Sequence, residues 1–179
     1  GGTISATVGE TPVEEGKGEV VEGATVTLEA TPAAGYKLVE WDVKKSDGGE
    51  SVTITDNKFT MPAGNVTVTA TFQAIDYTIT ISGTTNGTVT ADKEKANIGE
   101  EVALTVTPNA GYELADLTVK SGETTITVTD NKFTMPAGDV TVTATFQAID
   151  YTITIGGTTN GAVTADKETA NIGEEVALT

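Results

Sequence analysis

Cysteine, histidine and arginine are all missing from this chain of 179 residues. Without Cys there is neither a disulfide nor a thiolate zinc site, and without His the commonest metal ligand and the usual general base are gone. Basic charge is scarce: 10 Lys face 26 Asp and Glu, for a net charge of −16. Phosphate backbones and anionic lipid repel such a chain, so the expected partners include no nucleic acid and no membrane surface. Its acidity is read as an aid to solubility. No apolar run reaches the 18 residues a spanning helix needs, so no membrane insertion is expected. Helical periodicity is missing as well, which leaves strands. No signal peptide is visible, and the chain starts at Gly1-Gly2 and stops in mid-pattern at Ala177-Leu178-Thr179. It reads as an excised fragment whose targeting and anchoring signals lie outside it.

What the chain does contain is repetition. Thr55 to Ile81 recurs at Thr129 to Ile155 with one change, Asn65 to Asp139, at an offset of 74 residues. That period is one small domain, too small to bury a thick core alone. The expected organisation is therefore a first module over 3–76, a second over 77–150 and the start of a truncated third over 151–179. Val66, Val68, Ala70 and Phe72 alternate with Thr67, Thr69 and Thr71, a period of two that gives a strand one apolar and one polar face. Pro62-Ala63-Gly64 ahead of it is turn chemistry. Beyond it only Gln73-Ala74-Ile75-Asp76 precedes the alternation of Tyr77, Ile79 and Ile81, so the junction reads as short and stiff rather than as a Gly/Ser tether.

In chain order, Ile4, Ala6 and Val8 read as a first strand, Val13 to Gly18 as an acidic loop, and Val26, Leu28 and Ala30 as a further strand. After Gly35-Tyr36 the apolar parity shifts from Tyr36 and Leu38 to Val39, Trp41 and Val43, the signature of a β-bulge or bend. Ser46 to Gly49 reads as a hairpin turn, followed by Val52, Ile54 and the Phe59 arm. Module two repeats the order from Tyr77, with a turn at Asn86-Gly87, strands through Val102 and Leu104, and the parity shift at Leu114 and Leu117. Ala91 to Gly99 reads as a loop. The expected class is all-β: small Ig-like or β-grasp-like modules of about six strands each, arranged end to end.

These pieces together resemble a bacterial repeat family. They are Gly35-Tyr36 and Gly111-Tyr112, Trp41, the Phe59-Thr60-Met61-Pro62 arm with its copy at Phe133 to Pro136, and the closing Val-Thr-Val-Thr-Ala-Thr-Phe strand. The combination looks like the divergent internalin-B-type B repeat, a relative of the Listeria–Bacteroides repeat, and covers nearly the whole chain. The resemblance implies tandem β modules of large extracellular bacterial proteins, serving as spacers or adhesion segments, with no catalytic residues to carry over. Leu117 stands where the second module would need its Trp, which counts against a role for one exposed aromatic per copy.

No catalytic, cofactor-binding or metal-ligating residue is assigned. Trp41 is read as core rather than as a sugar platform, since its parity follows Val39 and Val43. Tyr36 and Tyr112 are read as packed at their turns. Asp47-Gly48-Gly49-Glu50 and Thr55-Asp56-Asn57 carry suitable oxygens but lack calcium-loop spacing, and read as solvated turns. The outward Thr residues reflect strand propensity, and the Asn65-Val66-Thr67 and Asn86-Gly87-Thr88 glycosylation patterns are weak. The expected function is a non-catalytic stalk, spacer or adhesion segment at the bacterial surface. The alternative is a module that binds a glycan or host surface protein through the loops that differ between copies: Val13 to Gly18, Lys45 to Glu50, and Ser121 to Thr125. The half-copy over 151–179 carries Tyr151, Ile153, Ile155, Val163, Val176 and Leu178 without a back half to cover them. It is expected either to exchange strands with another molecule or to complete a permuted unit running from about Val106 to Thr179.

Overall fold

A computed structural model describes residues 1–14 and 18–179, so part of the expected loop over Val13 to Gly18 lies outside the described residues. Every regular element in it is a strand, and the chain divides into two units, residues 1–76 and 77–179.

Unit 1 holds β1 (Gly2–Val8), β2 (Thr11–Pro12), β3 (Thr25–Pro32), β4 (Tyr36–Lys45), β5 (Lys58–Thr60) and β6 (Val66–Ala74). One sheet runs β2-β1-β3-β5 and the other pairs β4 with β6, antiparallel throughout. Val26 and Leu28 from the first sheet meet Val43 from the second, with Phe59 beside them, in a small buried core. The parity shift in β4 is a bulge: Leu38 sits opposite Phe72 and Glu40 opposite Thr71, leaving Val39 as the extra residue. Val39 was expected to point inward with Trp41 and Val43. As the bulged residue it faces solvent instead, 54% exposed.

Unit 2 begins with a complete repeat: β7 (Tyr77–Ser82), β8 (Gly87–Ala91), β9 (Lys95–Ala96), β10 (Glu101–Pro108), β11 (Tyr112–Ser121), β12 (Thr124–Ile126), β13 (Lys132–Thr134) and β14 (Val140–Ala148). Its sheets run β13-β10-β8 and β12-β11-β14-β7-β9. Both supply the core, which joins Val89, Val102, Leu104 and Phe133 to Ile79, Val119, Val140, Val142 and Ala144. No helix occurs among the described residues, so the layering is sheet on sheet. The stretch expected to be a loop, Ala91 to Gly99, contains the short strand β9, which pairs with β7.

Register shows how the two repeats correspond. Gly2 sits opposite Pro32 as Gly87 sits opposite Pro108, so β1 is the counterpart of β8. The alternation of Ile4, Ala6 and Val8 is thus not a first strand of the Tyr77 type, as the sequence suggested. Unit 1 has no counterpart of β7 among its described residues. The longer link between β1 and β3 carries β2, which pairs with β1 in the other sheet.

That difference governs burial. β6 and β14 are identical in sequence, yet Val140, Val142 and Ala144 are at most 2% exposed while Val66, Val68 and Ala70 are only half-buried. β14 lies between β11 and β7, the latter parallel with Val140 opposite Ile79 and Val142 opposite Ile81. β6 is paired with β4 alone among the described residues. Phe72 and Phe146, expected as core, are half-buried at the end of this strand, against the backbones of Gly2 and Gly87. The fully buried rings are Phe59 and Phe133.

The half-copy forms β15 (Tyr151–Thr152) and β16 (Thr169–Ala170), which pair as β7 and β9 do, and Ala165 bridges Leu178. Asn171 donates its side-chain amide to the Ile149 carbonyl at 3.0 Å and to Asp150 Oδ1 at 2.8 Å. The permuted unit is overturned: Val176 and Leu178 take no part in the core around Phe133, Val140 and Val142, and Leu178 is 64% exposed.

Candidate interaction surfaces

The stretch Thr55-Asp56-Asn57, weighed above for its oxygens, is a turn built on backbone handedness. Asp56 and Asn57 take φ of 52° and 58°, and Thr55 and Lys58 exchange both backbone hydrogen bonds at 2.8 and 2.9 Å. Two left-handed residues between paired strands match the sheet twist, and Asp and Asn tolerate that region better than other non-Gly residues. The Asn57 carbonyl accepts the Leu28 N–H at 2.7 Å, docking the turn on β3. Asp130-Asn131 repeats this, with φ of 51° and 58° and the Asn131 carbonyl on the Leu104 N–H. The residues are explained by folding.

Trp41 lies against this turn. Its ring packs on the edge of the unit 1 core, and its indole N–H donates to Asn57 Oδ1 at 3.0 Å. With the N–H engaged and the ring half-buried, the side chain joins β4 to the turn. Tyr36 and Tyr112 open β4 and β11 and are partly exposed.

The loops that differ between copies sit at strand ends. In unit 1, Lys45 Nζ meets Glu50 Oε2 at 2.8 Å across the turn, raising the lysine pKa and lowering that of the carboxyl. Lys44 and Asp42 pair at 2.7 Å, and that hydrogen bond raises the Lys44 pKa. In unit 2 the loop tightens: Ser121 pairs with Thr124, and Gly122, at φ 57°, takes the first turn position. Among the described residues no three acidic side chains gather around a common point. Shallow depressions lie over Val8, Pro12, Val13 and Val20 in unit 1 and over Thr127, Asp130, Lys132 and Thr134 in unit 2.

Outward Thr residues form the broad polar surface: Thr67, Thr69 and Thr71 on β6 are exposed, as are Thr141 and Thr145 on β14. Asn65 is exposed, whereas Asn86 is half-buried at φ 67° beside the buried Gly87. Sequence reasoning missed one polar contact. Asp139 Oδ1 accepts the Thr78 N–H at 2.7 Å, holding the start of β7 against β14. The signal was the single Asn65-to-Asp139 change inside an otherwise identical block.

The divergent InlB B-repeat domain model matches the chain twice in tandem, over residues 2–76 and 77–150. The chain belongs to this family. Its two B repeats are the two cores described above. Repeats of this kind are typical of bacterial surface proteins. Neither the curated proteins nor the solved structures give a significant match. Within the B repeats, the Phe-Thr-Met-Pro arm is β5 or β13 with the turn after it, and the closing strand is β6 or β14.

Proposed function

We propose that these B repeats serve as a non-catalytic spacer segment of a secreted or surface-anchored bacterial protein, carrying other domains away from the cell. The observation that carries this reading is how each repeat uses its chemistry-bearing side chains. Asn57 and Asn131 shape turns, Asp139 fixes a strand, and Asp92 Oδ1 accepts the Ala103 N–H at 3.0 Å. Strand sequences repeat while the loops vary, as expected where selection acts on the scaffold. Small-angle scattering, extrapolated to infinite dilution, should give an elongated particle. A compact globular profile would sink the spacer role.

A second reading, recognition of a glycan or host surface protein, is favoured by the different build of the Lys45 to Glu50 and Ser121 to Thr125 turns. Glycan arrays probed with the whole chain and with a chain in which the first loop carries the second loop's sequence should differ. Blank arrays for both would remove the glycan version.

A further inference from the structure

One turn recurs three times along the chain, as Val21-Glu22-Gly23-Ala24, Asn97-Ile98-Gly99-Glu100 and Asn171-Ile172-Gly173-Glu174. In each the third residue is a left-handed Gly, at φ of 81°, 82° and 81°. The N–H of the fourth residue donates to the carbonyl of the first at 3.2 Å in all three. Gly supplies the positive φ that such a turn requires. Since the turn forms with Val21 and Glu22 in unit 1, the Asn-Ile pair of the other two copies is not needed to make it.

The third turn shows where that pair goes. The Asn171 side-chain amide donates to the Ile149 carbonyl at 3.0 Å and to Asp150 Oδ1 at 2.8 Å, both in the link between β14 and β15. Glu174 Oε2 accepts the Asn171 N–H at 2.6 Å, which holds the backbone while the side chain reaches out. Ile172 lies on Gly111, at the turn into β11: a Cβ on Gly111 would stand 2.8 Å from the Ile172 Cβ and collide with its Cγ2. The Gly111 carbonyl accepts the Ile149 N–H at 2.8 Å, so Ile149 is bonded to the β11 turn on one side and to the Asn171 turn on the other. Ile172 is 58% exposed and fills no core.

We propose that Asn171 and Ile172 form a clasp that fixes the orientation of residues 151–179 on the repeat before them, with Gly111 as its socket. The link alone cannot fix it. Only residues 149 and 150 separate β14 from β15, and each brings two soft backbone dihedrals about which the following segment can swing. The clasp ties down the far side of that swing by a polar bridge and an apolar seat. Gly111 then has two duties: its φ of 81° turns the chain into β11, and its missing side chain admits Ile172. Such a clasp stands apart from the spacer role, because it sets the angle at this joint whatever the array carries.

The chain has no Cys, so pairs of engineered cysteines can be spin-labelled without background. In the full 179-residue chain, Thr145→Cys on β14 with Glu175→Cys reports the joint, and Thr154→Cys with Glu175→Cys reports the half-copy itself; all three positions are exposed. The double variant Asn171→Val with Ile172→Glu gives the third turn the pair that unit 1 carries. The joint distance should be narrowly distributed in the parent and broaden in the double variant, while the inner distance stays as it was. Gly111→Ala should broaden the joint too. Gly99→Ala, with the same left-handed strain at φ 82° but nothing within 4 Å, should leave it narrow. A broad joint distance in the parent, or one unchanged by the double variant or by Gly111→Ala, overturns the proposal. Equal broadening by Gly99→Ala overturns it as well, since backbone strain would then be the cause. So does broadening of the inner distance in the double variant, which would mean that the pair folds the half-copy rather than seats it.

Discussion

Val142→Ala and Val68→Ala make the same chemical change at the same place in two copies of one strand. Val142 is fully buried between Ile81, Val119 and the facing sheet. Removing two methylene equivalents there costs about 1.6 kcal/mol of transfer free energy, at about 0.8 each. The cavity left among rigid neighbours brings the total to about 2–3 kcal/mol. Val68 is half-buried beside an open edge, so roughly half the transfer term applies and the rim can collapse, for about 1 kcal/mol or less. A gap of about 1–2 kcal/mol is readable, since 1 kcal/mol moves the midpoint of a domain this size by roughly 4–8 °C. The single Trp lies in unit 1. Its fluorescence therefore follows that unit alone, while far-UV circular dichroism follows both. Val142→Ala should leave the Trp41 transition in place and lower the other by about twice the shift Val68→Ala gives the Trp41 transition. Equal losses at the two sites, or a larger loss at Val68, would mean that β7 is not what buries this strand.

Other expectations follow from single contacts. Gly87→Ala places a Cβ 2.5–2.6 Å from the Phe146 ring and should lower the unit 2 melting temperature by more than Gly156→Ala, where nothing lies within 4 Å. Asn131→Ala forces a β-carbon residue without a turn-favouring side chain to φ 58°, at a cost of about 1 kcal/mol, whereas Asn131→Gly should be near neutral by thermal melt. Glu50 has its pKa lowered by the Lys45 hydrogen bond, so its contribution is full above the ordinary carboxylate value of 4.5 and is lost as pH falls through the lower folded value. Lys45 is raised by the same partner, so the pair also fades as pH climbs above 10.5. The difference in melting temperature between the parent and Glu50→Gln should thus be flat from about pH 5 to 10 and shrink as pH falls below 4.5; a difference that does not change with pH would assign it to packing.

The strand faces were legible because alternation reports burial directly: Thr67, Thr69 and Thr71 are exposed where Val66, Val68 and Ala70 are not. The bulge was legible as a parity change, although which residue is extruded was not. Val39 is apolar, and nothing local says that Leu38 and Glu40, not Val39, find partners across the sheet. The turn at Asp56-Asn57 was legible as a solvated turn, although its left-handed backbone and its docking on β3 were not. Equating Ile4-Ala6-Val8 with Tyr77-Ile79-Ile81 failed for a broader reason. Both are alternating apolar strands near a repeat's start, and only the ladder between Gly2 and Pro32 shows that the former is the repeat's second strand.

The parallel pairing of β7 with β14 also explains why the same closing-strand sequence is buried in the second copy and half-buried in the first. A parallel pair needs a long connection, and here everything from β8 to β13 provides it. The β7–β14 ladder joins residues farther apart in sequence than any other ladder of the repeat, so it carries the largest loop-closure cost. In unit 1, β6 pairs with β4 alone among the described residues: Val26, Leu28, Val43 and Phe59 are buried, while the apolar residues of β6 remain half-exposed.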